Sequence, residues 1–219
     1  MDFKTLKDRL ARLDTACICD ISRDIRIMDP GIRPINTGLK MVGLARTVKC
    51  KGDFLTVIKA LHDAIEDEVL VIDAEGDKIA LVGELFALEA QTKKLSGIVC
   101  DGGCRDVEGM RKVNFPVYSR YITPLAGTSS KIFKTQIQVN CGSVPVSPGD
   151  IIFGDDDGIL VLTEKEIRPI IDAAENIQRI EDKVLKNMES KKSLISMLNF
   201  FDHYEKISKK EKSQLIFTI

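Results

Sequence analysis

The segment from Val69 to Asp106 constrains this chain more than any other. VLVIDA (69–74) is a short apolar run, continuous up to Asp73. Such a run reads as a strand covered on both sides. A second short strand, Ile79 to Val82, ends at Gly83. Glu84 then opens a helix, ELFALEAQTKKL, and GIVC (97–100) returns as a strand. Strand, helix and strand in this order predict a βαβ-like unit around a buried sheet.

The flanking segments fit a mixed α/β chain. Residues 3–13 predict a short amphipathic helix, and residues 14–40 an irregular stretch with turns at Asp29-Pro30-Gly31 and Arg33-Pro34. MVGLARTVKC (41–50) predicts a strand, and Asp53 caps a helix over FLTVIKALHDAIEDE. DGGCRD (101–106) reads as a loop, followed by a helical turn to about Lys112. FPVYS, residues 134–140 and IIFGDDDGILVL complete the β-rich part. From Thr163 onward glycine disappears. The pattern predicts one long helix over 164–190, with Pro169 tolerated near its start, and a second over 193–207. The division expected is a catalytic domain over 1–163 and a C-terminal helical segment over 164–219, packing on the same domain or a neighbouring subunit. The tail over 202–219 reads as a solvated extension or a subunit contact. Strands that do not alternate strictly with helices favour an α/β sandwich over a doubly wound sheet.

Composition excludes several functions. Lys and Arg total 32 against 33 Asp and Glu, a balance that argues against nucleic acid as a partner. No apolar run approaches the roughly 18 residues that suggest a membrane span. The charged N-terminus does not read as a secretory signal. Two His exclude a three-His zinc centre, and six Cys without a CxxC pair argue against a zinc ribbon. Reduced thiols in a cytoplasmic protein are expected, with Cys100 and Cys141 in or beside strands.

The chemistry concentrates in GELFALEAQTKKLSGIVCDGGCRD (83–106). The N–H groups of Leu85 and Phe86, at the start of a helix after Gly83, suit a carboxylate. Arg105 offers a planar permanent charge, and Asp106 a hard oxygen ligand for a divalent cation. Gly102 and Gly103 let the backbone pass close to a ligand. The plain structural alternative is a salt-bridged loop, with Arg105 paired to Glu84 or Asp101. Asp101 can otherwise support Arg105 from behind, and Glu108 can orient water on a cation or simply answer the helix dipole. GDDDG (154–158) lacks the spacing of a calcium loop and reads as a turn. His62 and His203 carry no catalytic pattern.

Glu84 followed by twenty residues and then Arg105-Asp106 resembles the RraA-like family. VGLARTV (42–48), EVLVIDAEGDKIALVGEL (68–85), GIVCDGGCRD (97–106), FPVY (115–118) and VPVSPGDIIFGDDDGILVL (144–162) extend the resemblance over roughly residues 3–200. It implies a swivelling β/β/α sandwich, here with added C-terminal helices, assembled as a trimer or hexamer with its cleft between subunits. It implies a metal-dependent lyase, an aldolase of the 4-hydroxy-4-methyl-2-oxoglutarate type or an oxaloacetate decarboxylase. Such an enzyme acts on a small 2-keto diacid and releases pyruvate. In that reading Asp106 holds Mg²⁺ or Mn²⁺, Arg105 stabilises the enolate, Glu84 works through water, and Gly83, Leu85 and Phe86 hold the pyruvyl carboxylate. Glu84 stands where the aldolases carry Asp. A further acid comes from a neighbouring copy in some members, for which Glu175, Glu181 and Asp182 are candidates. The family also includes a ribonuclease inhibitor, so a protein-binding regulator is the alternative. A menaquinone methyltransferase is rejected, since no GxGxG loop follows a predicted strand.

Overall fold

Along the central strands, side chains alternate between two covered faces. In the computed structural model, which describes residues 2–219, Leu70, Ile72, Ile98 and Cys100 point into one apolar cluster. Val69, Val71 and Val99 point into another. This period-two split is why the sequence shows unbroken apolar runs.

The chain begins with α1 (Phe3–Leu10) and α2 (Thr15–Ile21), then β1 (Arg26–Ile27), β2 (Arg33–Pro34) and β3 (Met41–Lys49). α3 (Leu55–Asp63), β4 (Glu68–Val82), α4 (Glu84–Thr92), β5 (Gly97–Cys104), α5 (Val107–Val113) and β6 (Val117–Ile122) follow. The β-rich part ends with β7 (Val139–Cys141), β8 (Val144–Val146), β9 (Ile151–Gly154) and β10 (Ile159–Leu162). The sheet order is β1-β10-β9-β3-β4-β5-β6-β2. β3, β4, β5 and β6 run parallel, and β9, β10, β1 and β2 add antiparallel edges. Helices α3, α4 and α5 cover one face through Val57, Leu61, Ala87, Ala90 and Met110. The separate β7–β8 hairpin covers the other through Val139, Cys141 and Val146. Helix layer, sheet and β layer form the expected β/β/α sandwich.

Several local expectations change. VLVIDA and Ile79–Val82 belong to one strand, β4, because Glu75 and Gly76 (φ +55° and +69°) form an irregularity and pairing with β5 resumes beyond it. DGGC continues β5 instead of forming a loop. Gly102 and Gly103 serve that pairing: a Cβ on them would lie 2.7 Å from the Ala74 Cβ and the Ile79 carbonyl oxygen. Their small size admits the neighbouring strand, not a ligand. Residues 15–21 are helical despite weak helix formers, because the Thr15 N–H and hydroxyl both donate to the buried Asp155 carboxylate. α3 stops at Asp63, where Lys93 reaches the carbonyls of Leu61 and His62.

The chain divides into two compact units, Met1–Ile171 and Asp172–Ile219. The long helix expected over 164–190 is two. α6 (Glu164–Ile167), with a capping box between Thr163 and Glu166, stops before Pro169, and α7 (Ile171–Glu189) begins after it. Pro169 cannot continue the hydrogen-bond ladder. In the second unit, residues 193–207 are also broken. A 3-10 turn (Leu194–Met197) and α8 (Phe200–Ser208) flank an extended Leu198. Leu198 bridges Phe217, and Thr218 N–H donates to the Met197 carbonyl at 2.9 Å. The end of the tail thus folds back onto this turn while its side chains stay largely exposed. No helix among the described residues is long and apolar enough to cross a membrane.

Candidate active site

Parallel strands β4 and β5 end side by side, with Val82 opposite Cys104. The chain that leaves them therefore delivers Gly83-Glu84 next to Arg105-Asp106, at the carboxyl edge of the sheet where α/β folds place ligands. Arg105 N–H donates to the Val82 carbonyl at 3.1 Å and locks the two exits together. A small cleft there is lined by Gly83, Leu85, Phe86, Arg105 and Asp106, with Phe54 opposite.

Two glycines make the approach possible. A Cβ on Gly83 would stand 2.5 Å from Asp106 Oδ2, so the Asp106 carboxylate rests directly on the β4–α4 junction. A Cβ on Gly109 would stand 2.2 Å from Glu84 Oε2, so the Glu84 carboxylate rests on the first turn of α5. Each acid leans on the element that carries the other. Gly109 is the partner that sequence reasoning missed; its signal was a glycine three residues beyond Asp106, inside a helix where glycine is unfavourable.

Asp106 itself is left-handed, at φ +58° and ψ +36°, and makes no capping bond to α5. An Asp held there is strained at the mouth of a cleft, as functional residues often are. Its one ion-pair partner among the described residues is Arg105, with Nε 3.5 Å from Oδ2 and both side chains about half exposed. Arg105 thus pairs with its neighbour Asp106 and with neither Glu84 nor Asp101. Asp101 is turned away and buried. It accepts Arg120 Nε at 2.5 Å and Gly142 N–H at 2.7 Å. It therefore supports Arg120, not Arg105, and its hydrogen bond raises the Arg120 pKa further.

The anion cradle differs from expectation in one atom. Phe86 N–H donates to the Gly83 carbonyl at 3.1 Å, tightening the first turn of α4. The N–H groups of Glu84 and Leu85 have no backbone acceptor among the described residues. The first turn therefore leaves the N–H groups of Glu84 and Leu85 open, and not that of Phe86. Phe86 instead lines the cleft with its ring, which meets Phe54 edge-on at 6.1 Å and 86°.

Phe54 is fixed by a buried carboxylate just before it. Asp53 accepts from Leu55 N–H, Thr128 Oγ1, Ser130 N–H and Lys131 N–H. Burial pushes its pKa up, but these donors outweigh burial and hold it at about 2. The clamp ties the loop that carries Ala126, also in the cleft wall, to the start of α3.

The remaining candidates fall outside the cleft. Glu108 is exposed and pairs with Lys112 at 3.0 Å, an ordinary i,i+4 helix pair. GDDDG turns β9 into β10, where Asp155 holds Thr15, Asp156 accepts Gly38 N–H, and no cation is needed. Glu175, Glu181 and Asp182 lie on α7 in the second unit. His62 is exposed on α3, and His203 Nδ1 lies 3.0 Å from Ser213 Oγ. All six cysteines are thiols; burial drives Cys50 up to about 12 and raises Cys100 and Cys141, which lie in β5 and β7, so these three are poor nucleophiles.

The donor set fits a hard cation. No cluster of three or more His, Cys, Asp or Glu that could hold a metal exists among the described residues. One half-exposed Asp106 carboxylate suits an ion that keeps most of its waters, as Mg²⁺ does.

Comparison with known proteins places the chain. The profile of the RraA-like family, described as Aldolase/RraA, matches residues 15–161. A protein of Halalkalibacterium halodurans with the provisional name 4-hydroxy-4-methyl-2-oxoglutarate aldolase is 35% identical over 168 residues, spanning 76% of this chain and 80% of that protein. The structure of the RNA-processing inhibitor RraA from Thermus thermophilis superposes with a TM-score of 0.65 at 26% identity, covering 69% of this chain and 93% of that one. RraAS2 of Streptomyces coelicolor, from the RNase ES inhibitor RraA family, gives a TM-score of 0.74 at 26% identity, covering 86% of this chain and 98% of that one.

Proposed function

This chain belongs to the RraA-like family, and on that premise we propose that it is a divalent-metal-dependent carbon–carbon lyase producing pyruvate from a small 2-keto acid. The observation that carries this reading is the crossed pair of acids. Asp106 on Gly83 and Glu84 on Gly109 flank Arg105 at the ends of two adjacent parallel strands.

Asp106 would hold Mg²⁺ or Mn²⁺. When bound, the ion supplies Lewis-acid stabilisation of the charge that builds on the keto oxygen. Arg105 aims a planar cation at that oxygen and stabilises the enolate. The unpartnered N–H groups of Glu84 and Leu85, at the positive end of α4, hold the substrate carboxylate. The Glu84 side chain, half-buried and with no ion pair among the described residues, moves a proton through a water. Decarboxylation of oxaloacetate needs only the enolate machinery. Aldol cleavage also needs a base for the C4 hydroxyl. The reading includes a cytoplasmic trimer or hexamer whose neighbouring copy completes the cleft. The relatives named as ribonuclease inhibitors support a second reading, a protein-binding regulator without turnover.

The test is pyruvate release from oxaloacetate above the rate given by free metal. The lyase reading expects Mg²⁺-dependent turnover, abolished by EDTA and by Asp106→Ala. No turnover and no metal-dependent pyruvate binding would leave the regulator reading.

A further inference from the structure

The second unit, Asp172–Ile219, lies beyond the family match, which ends at residue 161. Its last helix, α8, is nine residues long and has no buried residue. Phe201, Tyr204 and Ile207 fall three residues apart on one face and are 76%, 67% and 50% exposed. The Phe200 ring lies 5.3 Å from Phe201 and 5.8 Å from Tyr204 and orders that face. The ion pairs Asp202–Lys206 and Glu205–Lys209 take the other side. Helices shorter than roughly 12–15 residues are marginal in water unless an apolar face is packed. The end of the chain is held beside this helix. Asn199, at the start of α8, accepts Ile216 N–H at 2.9 Å and donates its own N–H to the Ile216 carbonyl at 3.2 Å. Its side-chain amide donates to the Gln214 carbonyl at 3.0 Å. These bonds tie α8 to an extended end in which Leu215, Phe217 and Ile219 alternate with polar or oppositely directed residues, each more than a third exposed.

Area and charge choose the occupant. These six large side chains, about half exposed on average at about 150–250 Å² for an aromatic, offer on the order of 600 Å² per copy, so two copies bury about 1,200 Å², the size at which stable interfaces begin. Residues 199–219 carry four Lys against three Asp and Glu. An anionic lipid surface calls for a polar face rich in unpaired Lys and Arg, whereas α8 pairs its Lys with its own acids. The signs are instead ordered along the segment. Asp202 and Glu205 stand in the first half of α8, and Lys209, Lys210 and Lys212 stand at and beyond its end. A two-fold axis sets the start of one such helix against the end of the other, so opposite charges meet at the rim. We propose that this face is a contact between two copies of the chain, with α8 and the tail of one packed antiparallel on those of the other. The contact is separate from the catalytic cleft and does not depend on the lyase reading.

Sedimentation velocity on the full chain tests it, comparing wild type with the double variant Phe201→Asp, Tyr204→Asp at equal concentration. The expected result is a twofold drop in assembly mass, with the melting temperature and far-ultraviolet spectrum close to wild type. An unchanged mass overturns the proposal. Sedimentation of wild type, but not the variant, with phosphatidylserine vesicles would also overturn it and assign the face to a lipid surface. Should the double variant lose its fold, single cysteines decide. Tyr204→Cys, near the middle of α8, is expected to form a disulfide-linked dimer on oxidation, while wild type and Lys206→Cys on the opposite side do not. Equal cross-linking at 204 and 206, or none at 204, would overturn the antiparallel pair.

Discussion

Asp101, paired with Arg120, and Asp106, paired with Arg105, sit at two levels of one strand path, within β5 and just past its end. The first pair is buried, with its carboxylate saturated by the guanidinium at 2.5 Å and by Gly142 N–H. Arg120 also reaches Asp29 at 3.0 Å and so ties β6 to the segment before β2. The second pair is half exposed, 3.5 Å apart, and set on a left-handed residue. Fully paired charges inside a fold hold it together, while under-paired charges at a strand's carboxyl end are available to a ligand. Four residues lie between an Asp saturated inside the fold and an Asp left half exposed at a strand end.

That contrast breaks if the two pairs respond alike to substitution. Asp106→Ala is expected to lower metal-dependent turnover by at least about 10²–10³-fold, the scale for losing one stabilising group at a developing oxyanion. Circular dichroism and the melting temperature should stay close to wild type. Arg120→Ala is expected to destabilise by about 3–5 kcal/mol, because it strands the buried Asp101 charge; urea unfolding measures it. If Arg120→Ala melts like wild type, the buried pair is not structural.

Much of the fold and part of the site were legible in the chain. VLVIDA, the helix from Glu84 and GIVC gave the βαβ unit because buried parallel strands and helices leave different periods. Gly83, Glu84, Arg105 and Asp106 were legible as candidates from their types and their places at element ends, and the structure brings them together. The rest depends on partners distant in sequence. Asp101 looked like a support for Arg105 until β6 brought Arg120 across. α2 exists because Asp155, 140 residues away, anchors Thr15. The Phe86 N–H was lost to Gly83 by a tightened turn that no residue type announces.

Two smaller effects sharpen the comparison. Gly109→Ala should displace the Glu84 carboxylate, a flexible side-chain end, and cost on the order of tenfold in turnover. It should also stabilise α5 by up to about 1 kcal/mol, as Gly→Ala does inside helices. Loss of activity with gained stability would mark Gly109 as a concession to the site. Asp53 supplies the pH test. Its folded pKa is depressed to about 2, so its stabilisation is present above the unfolded value near 3.8 and is lost as pH falls through about 2. Hydrogen exchange at Ser130 and Lys131 should stay protected at pH 4 and open as pH approaches 2. In Asp53→Asn, opening should no longer follow that window.

The central claim is that Asp106 and Arg105 together make an enolate-forming metal site. Its most direct measurement is deuterium incorporation into the methyl group of pyruvate, followed by proton NMR in D₂O with Mg²⁺ or Mn²⁺. The account predicts steady loss of the methyl signal with wild-type protein, none with EDTA, and none above background with Asp106→Ala. Equal exchange by wild type and Asp106→Ala, or none by wild type with either metal, would contradict it.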